Sequence, residues 1–169
     1  MNYSIRPTEP GDAAGLAALR RMPGIFETGG SLPSDREDPA FFSKLGPAHH
    51  AFTAVLEDGT IVAYALLYAE SNPRRRHVGS LGNMVRPDCQ GQGIGTALLK
   101  TLLDLADNWL MLERVELTVF ADNHRAIHLY EKLGFEKEGL KRMTVIRNGQ
   151  YADEYLMARL RRRSTNGSV

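Results

Sequence analysis

Residues Leu81–Lys100 read LGNMVRPDCQGQGIGTALLK. The stretch begins as a strand, turns at Arg86-Pro87-Asp88 and reaches the glycine cluster Gln90-Gly91-Gln92-Gly93-Ile94-Gly95. The apolar period then becomes helical. Ile94, Leu98, Leu99, Leu102, Leu103 and Leu105 recur at three-and-four spacing, the pattern of one buried helix face. A strand, a glycine-rich turn and a helix start place free backbone N–H groups at the positive end of a helix dipole. That arrangement suits a phosphate. Glycine is needed there because a Cβ would hold a pyrophosphate away from the backbone.

Two common phosphate motifs do not fit. A dinucleotide fingerprint needs a third glycine where Thr96 stands, and a P-loop needs Gly-Lys-Ser/Thr where Gly95-Thr96-Ala97 stand. The pattern present is Gln-x-x-Gly-x-Gly at Gln90, Gly93 and Gly95, which resembles the acetyl-CoA pyrophosphate loop of the GNAT superfamily of N-acetyltransferases. A second stretch, ELTVFADNHRAIHLYEKLGF (Glu116–Phe135), carries Asn123-x-x-Ala126 and Leu129-Tyr130-x-x-x-Gly134-Phe135. It resembles the second signature of the same superfamily, in the expected order and strand-to-helix setting. The resemblance covers roughly Tyr3–Leu160. The final hairpin, IRNGQYADEYLMARL, is similar to the branch of spermidine, ribosomal-protein and L-amino-acid N-acetyltransferases. The run Asp107-Asn108-Trp109-Leu110 followed by RVELTVFADN is most similar to the bacterial L-amino-acid enzymes.

The chain of 169 residues fits one domain, expected over 1–163 with a disordered tail over 164–169. A formal charge of +1 gives no broad field for nucleic acid or a membrane, and neither is expected as a partner. Arg74–Arg76 and Arg161–Arg163 are local basic runs, read as solvated. One cysteine, Cys89, cannot form an internal disulfide. The N-terminus lacks a signal pattern, no apolar run is long enough for a membrane span, and a cytoplasmic location is expected.

The remaining chain punctuates readily. Tyr3–Arg6 is a first strand. Asp12 is placed to cap a helix over Ala13–Arg21. A second helix runs from Ser34 to Leu45 with Glu37 completing a capping box, unless Pro39 starts it instead. Ala51–Leu56 and Ile61–Ala69 are strands joined by an Asp58-Gly59 hairpin signal. His77–Val85 is a strand whose Gly79 and Gly82 point to a bulge or a close backbone approach. Glu113–Phe120 is a strand, His124–Leu133 a helix stopped by Gly134, Phe135–Gly139 and Met143–Arg147 are extended, Asn148-Gly149 turns, and Tyr151–Leu160 returns. The predicted order is β-α-α-β-β-β-α-β-α-β-β, an α/β (α+β) mixed sheet of the GNAT acyl-CoA N-acyltransferase type. A crevice is expected where Leu81–Val85 and Glu116–Phe120 diverge.

The resemblance implies roles for particular residues. Backbone groups at Met84 and Val85, beside Asn83, pair with the pantetheine arm, and an N–H near Met84 faces the oxyanion. The N–H groups from Gly91 through Gln92, Gly93, Ile94 and Gly95 to Thr96 hold the pyrophosphate. Asn123, Ala126 and Lys132 belong to the same cofactor surface, although Asn123 is also a natural helix cap. Tyr130 points its hydroxyl at the sulfur as the acid; its alternative is core packing. Acetyl-CoA is the implied cosubstrate and no metal is implied. The acceptor is expected to be a small-molecule amine. Phe26 and Glu27 are candidates for its pocket.

Direct attack of a neutral amine on a thioester needs an oxyanion donor, a proton donor to the thiolate and a base. Tyrosine suits the donor, since its ordinary value near 10 keeps it protonated at neutral pH. Some relatives carry a glutamate where Thr118 stands here; Glu116 lies two residues earlier, and an ordered water is the remaining base. His124 and His128 are four apart on one helix face, but no third ligand is evident for zinc. Three functions stay open. An amino-acid acetyltransferase would need a cation for the acceptor carboxylate, offered by Arg74–Arg76 or Arg142. A polyamine or protein N-terminal acetyltransferase is the second; acidic lining for a polyamine is offered by Glu27, Asp35, Glu37 and Asp38. A non-catalytic acyl-CoA-binding module is the third. An exposed final hairpin leaves room for a homodimer.

Overall fold

The computed structural model describes residues 2–35 and 38–161. Among them seven strands form one sheet in the order β1-β2-β3-β4-β5-β7-β6. These are β1 (Tyr3–Pro7), β2 (His49–Leu56), β3 (Ile61–Ala69), β4 (Val78–Val85), β5 (Arg114–Phe120), β6 (Glu136–Arg147) and β7 (Gln150–Leu160). The helices are α1 (Ala13–Arg20), α2 (Ala40–Ser43), α3 (Ile94–Asn108) and α4 (His124–Lys132). Chain order is the one expected, and the sheet is mixed.

Strands β1 to β4 pair antiparallel in order; the Asp58-Gly59 hairpin joins β2 to β3 directly, whereas β1 reaches β2 through α1 and α2. The Asp58 carboxylate accepts the Thr60 N–H at 2.9 Å and closes that turn. The crossover through α3 makes β5 parallel to β4. This parallel ladder is short: Val78, Ser80 and the residue between them pair with Arg114–Glu116, and nothing beyond Ser80 is paired across it. The strands therefore diverge where the sequence predicted the crevice. On the far side, β7 pairs antiparallel with β5, and β6 with β7. Asn148 (φ 51°) and Gly149 (φ 72°) make the tight β6–β7 turn, a conformation these two residues tolerate.

The two faces of the sheet are covered unequally. On one face α3 buries Ile94, Leu98, Leu99 and Leu102 against Ala63, Ala65, Leu67 and Val115. Each such aliphatic side chain contributes about 1.5–3 kcal/mol of burial. Strand alternation sends Val115, Leu117 and Val119 of β5 to this face. On the other face, a smaller cluster joins Ala13, Leu16 and Ala17 of α1 with Phe42 of α2 and Tyr64 of β3. Gly79 shows close packing rather than a bulge: a Cβ there would stand 2.7 Å from Leu112 Cδ1 and 3.0 Å from Leu67 Cδ1. The register shifts lie elsewhere, at Ala54/Val55 and within β6.

Several local expectations need correction. The segment from Ser34 does not form a helix to Leu45. One helical turn, Ala40–Ser43, follows Pro39, whose missing N–H and fixed φ suit a helix start and not a continuation. Asp35 instead turns back to accept the Leu32 N–H at 2.7 Å. The Glu37 arm of the capping box lies outside the described residues, as do residues 162–169 and with them the predicted tail. Asp12 does not cap α1 with its side chain; a 3-10 turn over Pro10–Asp12 precedes that helix. Its carboxylate accepts the Glu9 N–H at 2.8 Å and holds Arg6 through two bonds of 2.7 Å. The two extended pieces after Gly134 are one irregular strand, β6, with Met143 at φ 54°.

Candidate active site

A cavity of about 960 Å³ passes through the divergence of β4 and β5 and is lined from both faces of the sheet. Its α3–α4 side carries the glycine cluster. Gly91 (φ 79°) and Gly93 (φ 83°) hold left-handed backbone, and α3 starts directly after Gly93. A Cβ on Gly93 would meet no protein atom within 4 Å, so the bare backbone faces open cavity. The loop is fixed by Gln90, whose amide donates to the Val85 carbonyl at 2.9 Å and whose Oε1 accepts from Arg125 at 2.7 Å. Arg125 also lines the cavity, with Nη2 placed 3.2 Å from the position a Gly91 Cβ would take. A helix start, two left-handed glycines and an adjacent guanidinium fit a pyrophosphate in size and charge.

Tyr130 of α4 is buried, and its hydroxyl donates to Asn83 Oδ1 on β4 at 2.7 Å. Burial pushes the phenol up to about 12, so the proton stays on oxygen throughout the working pH range. Asn123 lines the cavity and also caps α4, accepting the Ala126 N–H at 3.2 Å. Cys89 is fully buried, and desolvation raises its thiol, which leaves it a packing residue and not a nucleophile.

Most of the site predicted from sequence comes together in the cavity wall. Asn83, Met84, Val85, Gln90, Gly91, Gly93, Ile94, Gly95 and Thr96 line one part, and Asn123, Ala126, Tyr130 and Lys132 another. Gln92 is not in the wall; its amide donates to the Asp88 carbonyl at 3.3 Å. Phe26 and Glu27 are outside it as well. The Phe26 ring lies 4.8 Å beneath the Arg21 guanidinium, and Glu27 accepts the Gly24 N–H at 2.6 Å. Ile25 and Thr28 of that loop reach the cavity instead. Glu116 sits at the closed end of the divergence, held by Arg114 at 2.7 Å and Arg75 at 3.3 Å, while Thr118 reaches the wall. Arg74, Arg75, Arg76 and Arg142 are absent from the wall, and so are His77 and His124; His128 is present. Among the described residues no three His, Cys, Asp or Glu side chains are grouped to hold a metal.

The α1–α2 side of the cavity holds residues that sequence reasoning missed. Tyr64, Leu66, Phe41, Phe42 and Arg20 line it, beside Met84, which the sequence had already placed at the site. Glu154 of β7 pairs with Phe120 in register and shares its face, away from the α3 core. It is the one carboxylate in the wall among the described residues. The Tyr64 hydroxyl is buried and, among the described residues, has no hydrogen-bond partner. Desolvation pushes it up to about 12, so it remains a donor. The available signal was strand pairing: Tyr64 stands opposite Met84, and Glu154 opposite Phe120.

The fold therefore carries a glycine nest on one side of an opened parallel pair and a second, mixed apolar and charged region of the same cavity on the other. Comparison with known proteins assigns it to an acyltransferase class. The family model described as the acetyltransferase (GNAT) family matches residues 17–135, and the chain belongs to that family. It is similar to L-amino acid N-acetyltransferase AaaT of Escherichia coli (strain K12), with 41% identity over 104 residues. That match spans 62% of this chain and 64% of the relative, just under two thirds of its length. N-alpha-acetyltransferase RimI of Mycobacterium tuberculosis is 36% identical over 122 residues, 71% of this chain and 72% of that protein. The crystal structure of an acetyltransferase of the GNAT family from Streptococcus pneumoniae superposes with a TM-score of 0.77 at 30% identity, covering 94% of this chain and 99% of the other.

Proposed function

We propose that this chain is an acetyl-CoA-dependent N-acetyltransferase whose acceptor is the α-amine of a small L-amino acid. The observation that carries this is the single cavity crossing the sheet, with a phosphate nest at one end and a mixed apolar and charged chamber at the other. Bound acetyl-CoA would supply the activated thioester. Everything else is work for side chains and backbone of this protein. The glycine nest, the start of α3 and Arg125 hold the pyrophosphate. Beyond Ser80 the β5-facing backbone groups of β4 have no strand partner among the described residues. Alternation turns the Met84 N–H toward β3, as with the Arg86 N–H on the Val62 carbonyl, and the Val85 carbonyl is taken by Gln90. The Asn83 and Val85 N–H groups are therefore the ones placed to pair with an extended arm and to face the oxyanion. Tyr130 keeps its proton and delivers it to the leaving sulfur. Glu154 draws the acceptor ammonium into the chamber and is the group placed to receive its proton. The 41% identity to an L-amino acid N-acetyltransferase supports the choice of acceptor.

The polyamine alternative loses its proposed carboxylates. Glu27, Asp35 and Asp38 each accept a backbone N–H at 2.6–2.9 Å, and Glu37 lies outside the described residues. Release of free thiol from acetyl-CoA separates the readings when L-amino acids, spermidine and short peptides are offered as acceptors. Amino acids with apolar side chains are expected to give the highest kcat/KM. A higher value for spermidine than for every amino acid overturns the acceptor. Tight binding of acetyl-CoA with no thiol release for any amine supports the non-catalytic module.

A further inference from the structure

We infer that Arg20 and Tyr64 form a carboxylate seat in the acceptor chamber, so that the enzyme selects amino acids over the corresponding uncharged or polycationic amines. The inference rests on the acetyltransferase reading and narrows its substrate class. Arg20 ends α1, is half-buried and lines the cavity. Its guanidinium lies 4.9 Å over the Phe41 ring and, among the described residues, makes no ion pair or hydrogen bond. Arg6, Arg86, Arg114 and Arg159 are matched to Asp12, Asp88, Glu138 and Asp107. Arg74, Arg76 and Arg142 have no ion pair among the described residues either, but they lie outside the cavity wall, whereas Arg20 is in it. An arginine held on an aromatic face with no anion beside it among the described residues is preorganised for a carboxylate, which its planar fork fits.

Tyr64 supplies the independent observation. It is 5% exposed and lines the same chamber, and its hydroxyl oxygen is closed off from solvent with no partner among the described residues. Buried polar groups nearly always have one. The two donors are linked by a continuous aromatic wall. Phe41 meets Phe42 edge-on at 5.0 Å, and Phe42 meets Tyr64 edge-on at 5.4 Å. A carboxylate between Arg20 and Tyr64 would satisfy both, leaving an apolar side chain against Phe42, Leu66 and Met84. Across the divergence, Glu154 is the complementary anion for the ammonium, which would share it with Lys141, whose Nζ stands 3.9 Å from its Oε2. A zwitterion matches both ends. A polyamine would bring a cation to Arg20.

The discriminating pair is L-phenylalanine and L-phenylalaninamide, which differ at the carboxylate. The readouts are kcat/KM for each with saturating acetyl-CoA, and calorimetric binding of each to the protein. Wild type is expected to favour the acid by about 30-fold or more, the scale for losing one member of a buried charge pair. Arg20→Gln should collapse that ratio toward one, chiefly by raising KM for the acid. Tyr64→Phe, which keeps the ring, should reduce the ratio by about tenfold. A thermal shift on adding acetyl-CoA confirms that each variant is folded. Equal binding and turnover of acid and amide by wild type overturns the seat whatever the variants do, and leaves the acetyltransferase reading standing. Full retention of the preference in Arg20→Gln also overturns it. Spermidine outranking both compounds would sink the seat together with the amino-acid acceptor.

Discussion

Tyr130 and Asn83, 47 positions apart, share a 2.7 Å hydrogen bond across the divergence of β4 and β5. That bond fixes the phenol beside the strand proposed to hold the thioester arm. Tyr130→Phe deletes one hydroxyl and keeps the ring that packs 5.9 Å from Phe135. It is expected to lower kcat and kcat/KM together by about 100-fold, with acetyl-CoA affinity preserved. Because burial moves the phenol to about 12, its ionisation should leave no alkaline limb near pH 10. Unchanged kcat under conditions where chemistry limits turnover would return Tyr130 to a packing role. The meeting of Tyr130, Asn123 and Gly93 in one cavity wall was legible in the sequence because each belongs to a contiguous motif. Arg20, Tyr64 and Glu154 were not, because their membership depends on pairings such as Tyr64 with Met84 and Phe120 with Glu154. The same limit explains Glu27: its position suggested a pocket, but its carboxylate is taken by the Gly24 N–H.

Among the elements, α3 was the easiest to read, since its six apolar positions follow one helical stripe and five of them are buried. The 34–45 segment was the hardest, because Pro39 and the side-chain bonds of Asp35 and Asp38 outweigh helix propensity. The entry to α1 shows similar competition. Asp12 binds Arg6 and the Glu9 N–H, which draws its carboxyl below the usual carboxylate range, chiefly through the bond to Arg6. A depressed folded value means stability that is complete above the unfolded value of about 4 and is lost as pH falls through the lower folded value. Asp12→Asn should therefore cost about 1–2 kcal/mol at pH 7, a figure reduced because Arg6 is 34% exposed. The gap from wild type should narrow below pH ~4. Denaturant titrations at pH 7 and pH 3 check this; an equal gap at both would show that the charge is not what matters.

For the whole molecule, order of elements and mixed sheet followed from hairpin signals and one helical crossover. The divergence of β4 from β5 at Leu81–Val85 was expected as well; that the remaining ladder is only three residue pairs was not, since ladder length is set by packing on both faces. That short ladder has a mechanical consequence. Strands β1–β4 and strands β5–β7 are two plates, laced together at one end by three residue pairs and joined at the other not by a ladder but by side-chain bonds such as Tyr130 to Asn83. Arg159 ties the second plate to α3 through two bonds to Asp107, at 2.9 and 2.6 Å, but this brace also stands away from the open end. The strand groups along the gap, lacking a ladder, should exchange hydrogen by small local opening. A molecule threaded through the gap would act as a strap. Adding CoA should slow deuterium uptake across Gly82–Val85 and Thr118–Phe120, with little change in the β2–β3 hairpin. Slowing confined to the glycine loop would mean that the gap keeps exchanging freely even when loaded.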